Sequence, residues 1–335
     1  MRYTVLGTHM APIRAACRND RLCAAAALPS CRQEEKTMKI RTDTTGWELT
    51  TNRLTVRVAK PGFIYRRTRF DWTAFITDVI LDGRHTFCST ESLHPLEGAG
   101  GIGLCSEFGI HEPIGYEEAG IGENFPKLGV GLLRKESDES YFFMKDYSLE
   151  PFPCEITQLP DGLAFEQSPI LCRGYAARLK KTLTIKDNML HIGYQLENTG
   201  VETIRTTEYC HNFVQIDQQP VGSDYDLTFS SPLTFSRNDG SIWSSNGHLT
   251  WNDGIPGFYA SCMDVPRTGP IWWELWNKTA GAGLREELDT PVCRIACWGM
   301  QHVVSAEMFK SIDLARGETD SWSRSYTFMA NSEKA

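Results

Sequence analysis

Two polar residues, His211 and Glu307, lie about a hundred positions apart in otherwise apolar, strand-like runs. The first sits in Thr206-Thr207-Glu208-Tyr209-Cys210-His211-Asn212-Phe213, the second in Val303-Val304-Ser305-Ala306-Glu307-Met308-Phe309. An imidazole and a carboxyl group can share a proton-transfer task near neutral pH, one giving a proton while the other takes one. A lone histidine in such a strand reads more often as a hydrogen-bonded core residue than as a catalyst. A carboxylate between Val303-Val304 and Met308-Phe309 is less bland, because it is costly there unless it is partnered or faces a polar cleft. His302 should fall on the opposite face of an unbulged strand from Glu307 and reads as structural.

The elements that must position these groups read as strands. Leu54-Thr55-Val56-Arg57-Val58 and Phe75-Ile76-Thr77-Asp78-Val79-Ile80-Leu81 alternate with period two, the second running into the turn Asp82-Gly83. Leu183-Thr184-Ile185, the turn Lys186-Asp187-Asn188 and Leu190 to Tyr194 read as a hairpin. Asn198-Thr199-Gly200 turns into Thr203 to Phe213, and Pro160-Asp161-Gly162 supplies another turn. Long amphipathic helices are missing. The expected fold is all-β, a large antiparallel β-sandwich. With no linker between residues 39 and 330, residues 38–332 form one domain on this reading.

Residues 1–37 have another character: three cysteines, several arginines and the run Ala24-Ala25-Ala26-Ala27. They read as a disordered extension, or as sequence ahead of a start at Met38. Leu28-Pro29-Ser30-Cys31 fits a lipoprotein cleavage box poorly, and the apolar stretch Leu22–Leu28 is short for a secretory signal.

The chain of 335 residues is 41% hydrophobic and 11% aromatic, enough for a substantial core, with a net charge of −8. It carries no long basic run, so a nucleic-acid partner is not expected. No apolar stretch reaches the length of a membrane span, so no membrane partner is expected either. The 11 cysteines are scattered without a CxxC pair and read as reduced thiols of a cytoplasmic protein. Metal ligands at diagnostic spacing are absent, and no cofactor is expected. Gly98-Ala99-Gly100-Gly101-Ile102-Gly103 formally satisfies G-x-G-x-x-G, but no buried strand precedes it and no helix follows it. It reads as a loop. Two further clusters could carry binding groups. One is the polar and aromatic stretch from Ser106 and Glu107 through His111 to Lys127 and Arg134. The other is Trp272-Trp273-Glu274-Leu275-Trp276, whose indoles suit the C–H faces of sugars, although core packing is the commoner use.

Tyr209-Cys210-His211-Asn212-Phe213 and Val304-Ser305-Ala306-Glu307-Met308-Phe309, followed by Leu314, Gly317 and Trp322, resemble the acid and base strands of the galactose mutarotase superfamily of aldose 1-epimerases. The similarity spans about residues 40–330. It implies a β-sandwich with a sugar cleft on the concave face of one sheet, with His211 as general acid and Glu307 as general base. Gly131-Leu132-Leu133-Arg134 is similar to the Gly-x-x-Arg segment of the hexose-phosphate branch, with Val130 where that family often has histidine. The resemblance thus implies an isomerase of carbohydrate metabolism that interconverts sugar anomers, acting on a small sugar or sugar derivative as a monomer or homodimer. The candidate substrate contacts are Arg134, His111, Glu107, Lys127, Glu274 and Trp273. The same scaffold also serves non-catalytic carbohydrate-binding proteins, polysaccharide lyases and glycoside hydrolases. A hydrolase would need a second carboxylate opposite Glu307, from Glu107 or Glu274.

Overall fold

Alternation of apolar and polar side chains is the local cause of the longest elements. In Ala177–Lys186 and Met189–Asn198 the buried residues Leu179, Lys181, Leu183, Ile185, Leu190, Ile192, Tyr194 and Leu196 take every second position, Lys181 being paired with Asp71. The hairpin closes with Lys186 opposite Met189. Asp187 sits at the bend with φ of 51°, a left-handed conformation that aspartate tolerates. The computed structural model of the chain describes residues 38–94, 97–235, 242–245, 247–254, 256–263, 265 and 271–331. The expectations for residues 1–37 lie outside the described residues.

Two ten-stranded antiparallel sheets and a three-stranded one are described. At the centre of the first sheet, Leu104–Phe108, Ile204–Asn212, Val303–Leu314 and Arg294–Met300 lie side by side in that order. The second sheet runs from Cys154–Leu159 through Met189–Asn198, Thr319–Ala330 and Ala282–Leu288 to Ile271–Asn277 and beyond. One apolar cluster joins their facing sides, with Leu104, Phe108, Cys210, Ala306 and Met308 from the first and Leu190, Ile192, Leu284 and Phe328 from the second. The all-β antiparallel sandwich is thus present. In the third sheet, Asn124–Lys127 and Gly131–Arg134 lie within the polar and aromatic stretch noted from sequence, and Leu149–Pro151 lies beyond it.

Between the sheets lies a closed polar cluster. Arg324 donates to Glu208 Oε2 at 2.7 Å, Glu286 Oε1 at 2.6 Å and the Met308 carbonyl at 2.9 Å. Glu286 also accepts from Trp273 Nε1 at 2.7 Å and Asn212 Nδ2 at 3.0 Å. Each member is buried, and the mutual pairing is what makes charge tolerable there.

Candidate active site

Strand register brings His211 and Glu307 together. The strands Ile204–Asn212 and Val303–Leu314 pair antiparallel from Ile204↔Leu314 to Glu208↔Lys310, and a bridge Val214↔Val304 continues the same register. Carried across the gap, it sets His211 opposite Glu307, on one face. Within the gap, side chains complete the ladder. Asn212 Nδ2 donates to the Ala306 carbonyl at 2.7 Å, and the Asn212 N–H donates to Ser305 Oγ at 3.0 Å. Alternation gives the strands two uses: Cys210, Asn212, Ala306 and Met308 face the second sheet, while Tyr209, His211 and Glu307 face outward into a cleft of about 690 Å³, with Ser305 buried beside Glu307.

His211 Nε2 stands 3.2 Å from Glu307 Oε1, and Ser305 Oγ donates to the same oxygen at 3.1 Å. The imidazole stacks on Phe213 with ring centroids 3.9 Å apart and is edged by Phe70 and Trp298. Its Nδ1 is buried without a hydrogen-bond partner among the described residues. Burial pushes Glu307 up to about 7, against the opposing charge of Arg69 and the Ser305 hydrogen bond. Burial, assisted by Arg69, drives His211 well below its ordinary value. The pair is therefore an acid and a neutral imidazole that share one mobile proton on the acid side of neutrality.

Replacing Ser305 by alanine should push the Glu307 carboxyl further up, by on the order of one pH unit, because a hydrogen bond to its ionised form is lost. Titration of ¹³C-labelled glutamate carboxyls by NMR reads this without reference to turnover. An unmoved Glu307 would show the hydroxyl to be idle.

A second cluster forms the adjoining wall. Arg69, only 4% exposed, donates to Glu107 Oε2 at 2.9 Å, Tyr209 Oη at 3.1 Å and Glu91 Oε1 at 3.4 Å. Phe70 and Phe143 lie 4.5 Å and 4.4 Å from its guanidinium carbon. Glu107 takes a further bond from Lys127 Nζ at 3.1 Å and from the Tyr209 hydroxyl at 2.6 Å. Burial alone would raise Glu107, but the charges of Lys127 and Arg69 outweigh it and hold the carboxyl below its usual range. Glu91 accepts from the Ala99 and Gly101 N–H groups at 2.7 and 3.1 Å. The glycine-rich run is thus a loop that wraps a carboxylate, and the strand Leu104–Phe108 follows it.

Of the six residues singled out as substrate contacts, His111 lines the cleft beside Phe143. Glu107 and Lys127 are buried behind Arg69 and Tyr209 and do not line it. Lys127 is held by Glu107 and by the carbonyls of Phe108 and Gly109, so it anchors the wall. Arg134 is exposed on the small sheet, away from the cleft. Trp273 and Glu274 belong to the second sheet: the indole is in the core, and the carboxylate pairs with Arg285 at 2.8 Å. Burial of aromatics, not sugar stacking, explains that cluster. His302 also departs from expectation. The strand starts at Val303, so its alternation does not reach back to His302, which lines the cleft with Nε2 3.0 Å from the Thr90 carbonyl.

Glu91, Tyr209, Arg294 and Trp298 line the cleft with Arg69 and were not singled out from sequence. Tyr209 was within reach, since it lies two residues from His211 on the same face. Among the described residues no group of three or more His, Cys, Asp or Glu side chains is placed to hold a metal ion.

The fold is that of a galactose mutarotase-like sandwich. A galactose mutarotase-related enzyme from Lactobacillus acidophilus superimposes with a TM-score of 0.55 at 11% identity, over 85% of this chain and 98% of that one. Galactose mutarotase-like proteins from Clostridium acetobutylicum (TM-score 0.55, 10% identity, 88% and 99% of the two chains) and Lactobacillus casei (0.51, 12%, 87% and 100%) share the arrangement. No family model matches the sequence, and no curated protein matches it. The likeness is one of fold.

Proposed function

We propose that residues 38–332 form an enzyme that interconverts the anomers of a sugar, as an aldose 1-epimerase does, with His211 and Glu307 moving the protons. The supporting observation is the 3.2 Å contact between the two side chains at the floor of the cleft. Ring opening needs a proton taken from the anomeric hydroxyl and one given to the ring oxygen. Glu307 is the base and His211 the acid on opening, and they exchange roles on closure. The bound sugar's hydroxyl and ring oxygen separate the pair and supply polar partners, which brings the carboxylate–imidazolium form within reach of the neutral form.

The reactive state holds one proton between the two groups, so the pH dependence has a defined sign. Below the depressed His211 value both groups are protonated and no base remains. Above about 7 the pair loses its proton, and a neutral imidazole is too weak an acid. The rate should therefore pass through a maximum on the acid side of neutrality and fall as pH rises through about 7. A rate that climbs from pH 6 to pH 9 would contradict the shared-proton scheme.

Anomer exchange followed by NMR across free hexoses, pentoses, uronic acids and sugar phosphates tests the activity itself. Acceleration over buffer that is lost in Glu307→Gln supports it. Binding without acceleration points to a carbohydrate-binding protein on the same scaffold. A hydrolase is less well supported, because Glu274 is remote from the cleft and Glu107 is enclosed by Lys127, Arg69 and Tyr209.

A further inference from the structure

The cleft is roomier than one sugar ring requires, and one of its cations has no ion-pair partner among the described residues. Beside the hollow of about 690 Å³ lies a second of about 470 Å³ that shares Ile110, His111 and Arg294 with it. Arg294 stands at their junction, half-buried. Its guanidinium carbon lies 3.7 Å from the centroid of the Phe309 ring, a contact that fixes the planar group and leaves its edge N–H donors available. No carboxylate pairs with it among the described residues. The other cations are matched: Arg69 by Glu107 and Glu91, Lys127 by Glu107, and Arg205 by Asp313. The carboxylates Glu97 and Glu112 are exposed to solvent.

Register sets the distance to the reacting pair. Arg294 lies opposite Phe309 and Ala296 opposite Glu307, so the arginine is two residues, roughly 7 Å, along the same face from the carboxyl. That is on the scale of a pyranose ring with its exocyclic carbon. The arginine's charge is also felt at Glu307 and at His111.

We propose that the cleft takes a sugar carrying a carboxylate, of the hexuronic acid type, with the carboxylate held by Arg294 while the anomeric carbon faces His211 and Glu307. One free guanidinium answers one negative charge, and its fork meets two carboxylate oxygens in parallel N–H···O bonds. A phosphate dianion would keep part of its charge uncompensated. The inference rests on the reading of the cleft as a sugar site and deepens it.

Binding is read separately from turnover. D-galacturonate, D-glucuronate, the parent hexoses and their 6-phosphates are titrated calorimetrically into the full chain and into Glu307→Gln, at low and high salt. Each uronate should bind roughly tenfold more tightly than its parent hexose, with the margin narrowing in salt. In Arg294→Gln that margin should disappear, while Arg294→Lys should keep part of it. Equal affinity for uronate and hexose, a preference that survives Arg294→Gln, stronger binding of the phosphates, or no binding at all would overturn the proposal. Arg294-dependent uronate binding without faster anomer exchange would uphold it and remove the epimerase reading instead.

Discussion

Glu307→Gln should reduce anomer exchange by roughly 10²–10⁴-fold, the usual contribution of one proton-transfer group, and leave the β-sandwich intact. The amide keeps the shape of the carboxyl and can still accept from Ser305, but it cannot take the hydroxyl proton. The same substitution makes a stability prediction of definite sign. A carboxyl raised to about 7 in the folded chain from an ordinary 4.5 binds its proton more tightly folded than unfolded. Glu307's own contribution to stability should therefore fall as pH rises between those values and level off above them, by at most about 3 kcal/mol, while the depressed His211 acts in the opposite sense below its ordinary 6.5. Glu307→Gln removes this slope, so its melting temperature should gain on the wild type from pH 5 to pH 8. A wild-type margin that stays constant with pH would show that Glu307 is not buried as a proton-binding acid. Unchanged turnover would remove it from the chemistry.

Arg324→Met should be the most damaging single change to stability, about 3–5 kcal/mol. It leaves Glu208 and Glu286 facing each other between the sheets without their shared cation. The loss should be larger at pH 8 than at pH 5, because the stranded carboxyls can escape charge by taking up protons. Denaturant midpoints of the single variant and of the triple variant Glu208→Gln/Glu286→Gln/Arg324→Met measure it. The triple variant should recover most of the loss, since uncompensated buried charge, rather than the missing contact, causes it. A single variant within 1 kcal/mol of wild type would show the cluster to be well solvated. The change should also reach the cleft, since Arg324 holds the Met308 carbonyl next to Glu307.

Period-two alternation is a property of the chain itself, so the strands around Leu54, Phe75, Leu183 and Leu190 were readable directly, as was the all-β architecture. His211 and Glu307 were also legible, because a titratable group within an apolar strand is costly enough to require a reason. That their strands are neighbours, in a register that sets the two side chains 3.2 Å apart, is a matter of long-range pairing that local pattern does not encode. The charged residues show the limit most clearly. Arg66, Arg67, Arg69, Lys127 and Arg134 look alike in sequence, yet only Arg69 reaches the cleft wall, while Lys127 is buried behind it and Arg134 faces solvent. Trp273 and Glu274, adjacent in sequence, point to opposite faces of the second sheet, one into core and one to an ion pair. Composition and alternation determined the sandwich and marked His211 and Glu307 as the candidate proton carriers. Tertiary structure decided which cations and carboxylates surround them, because burial and partner choice depend on residues brought close from distant parts of the chain.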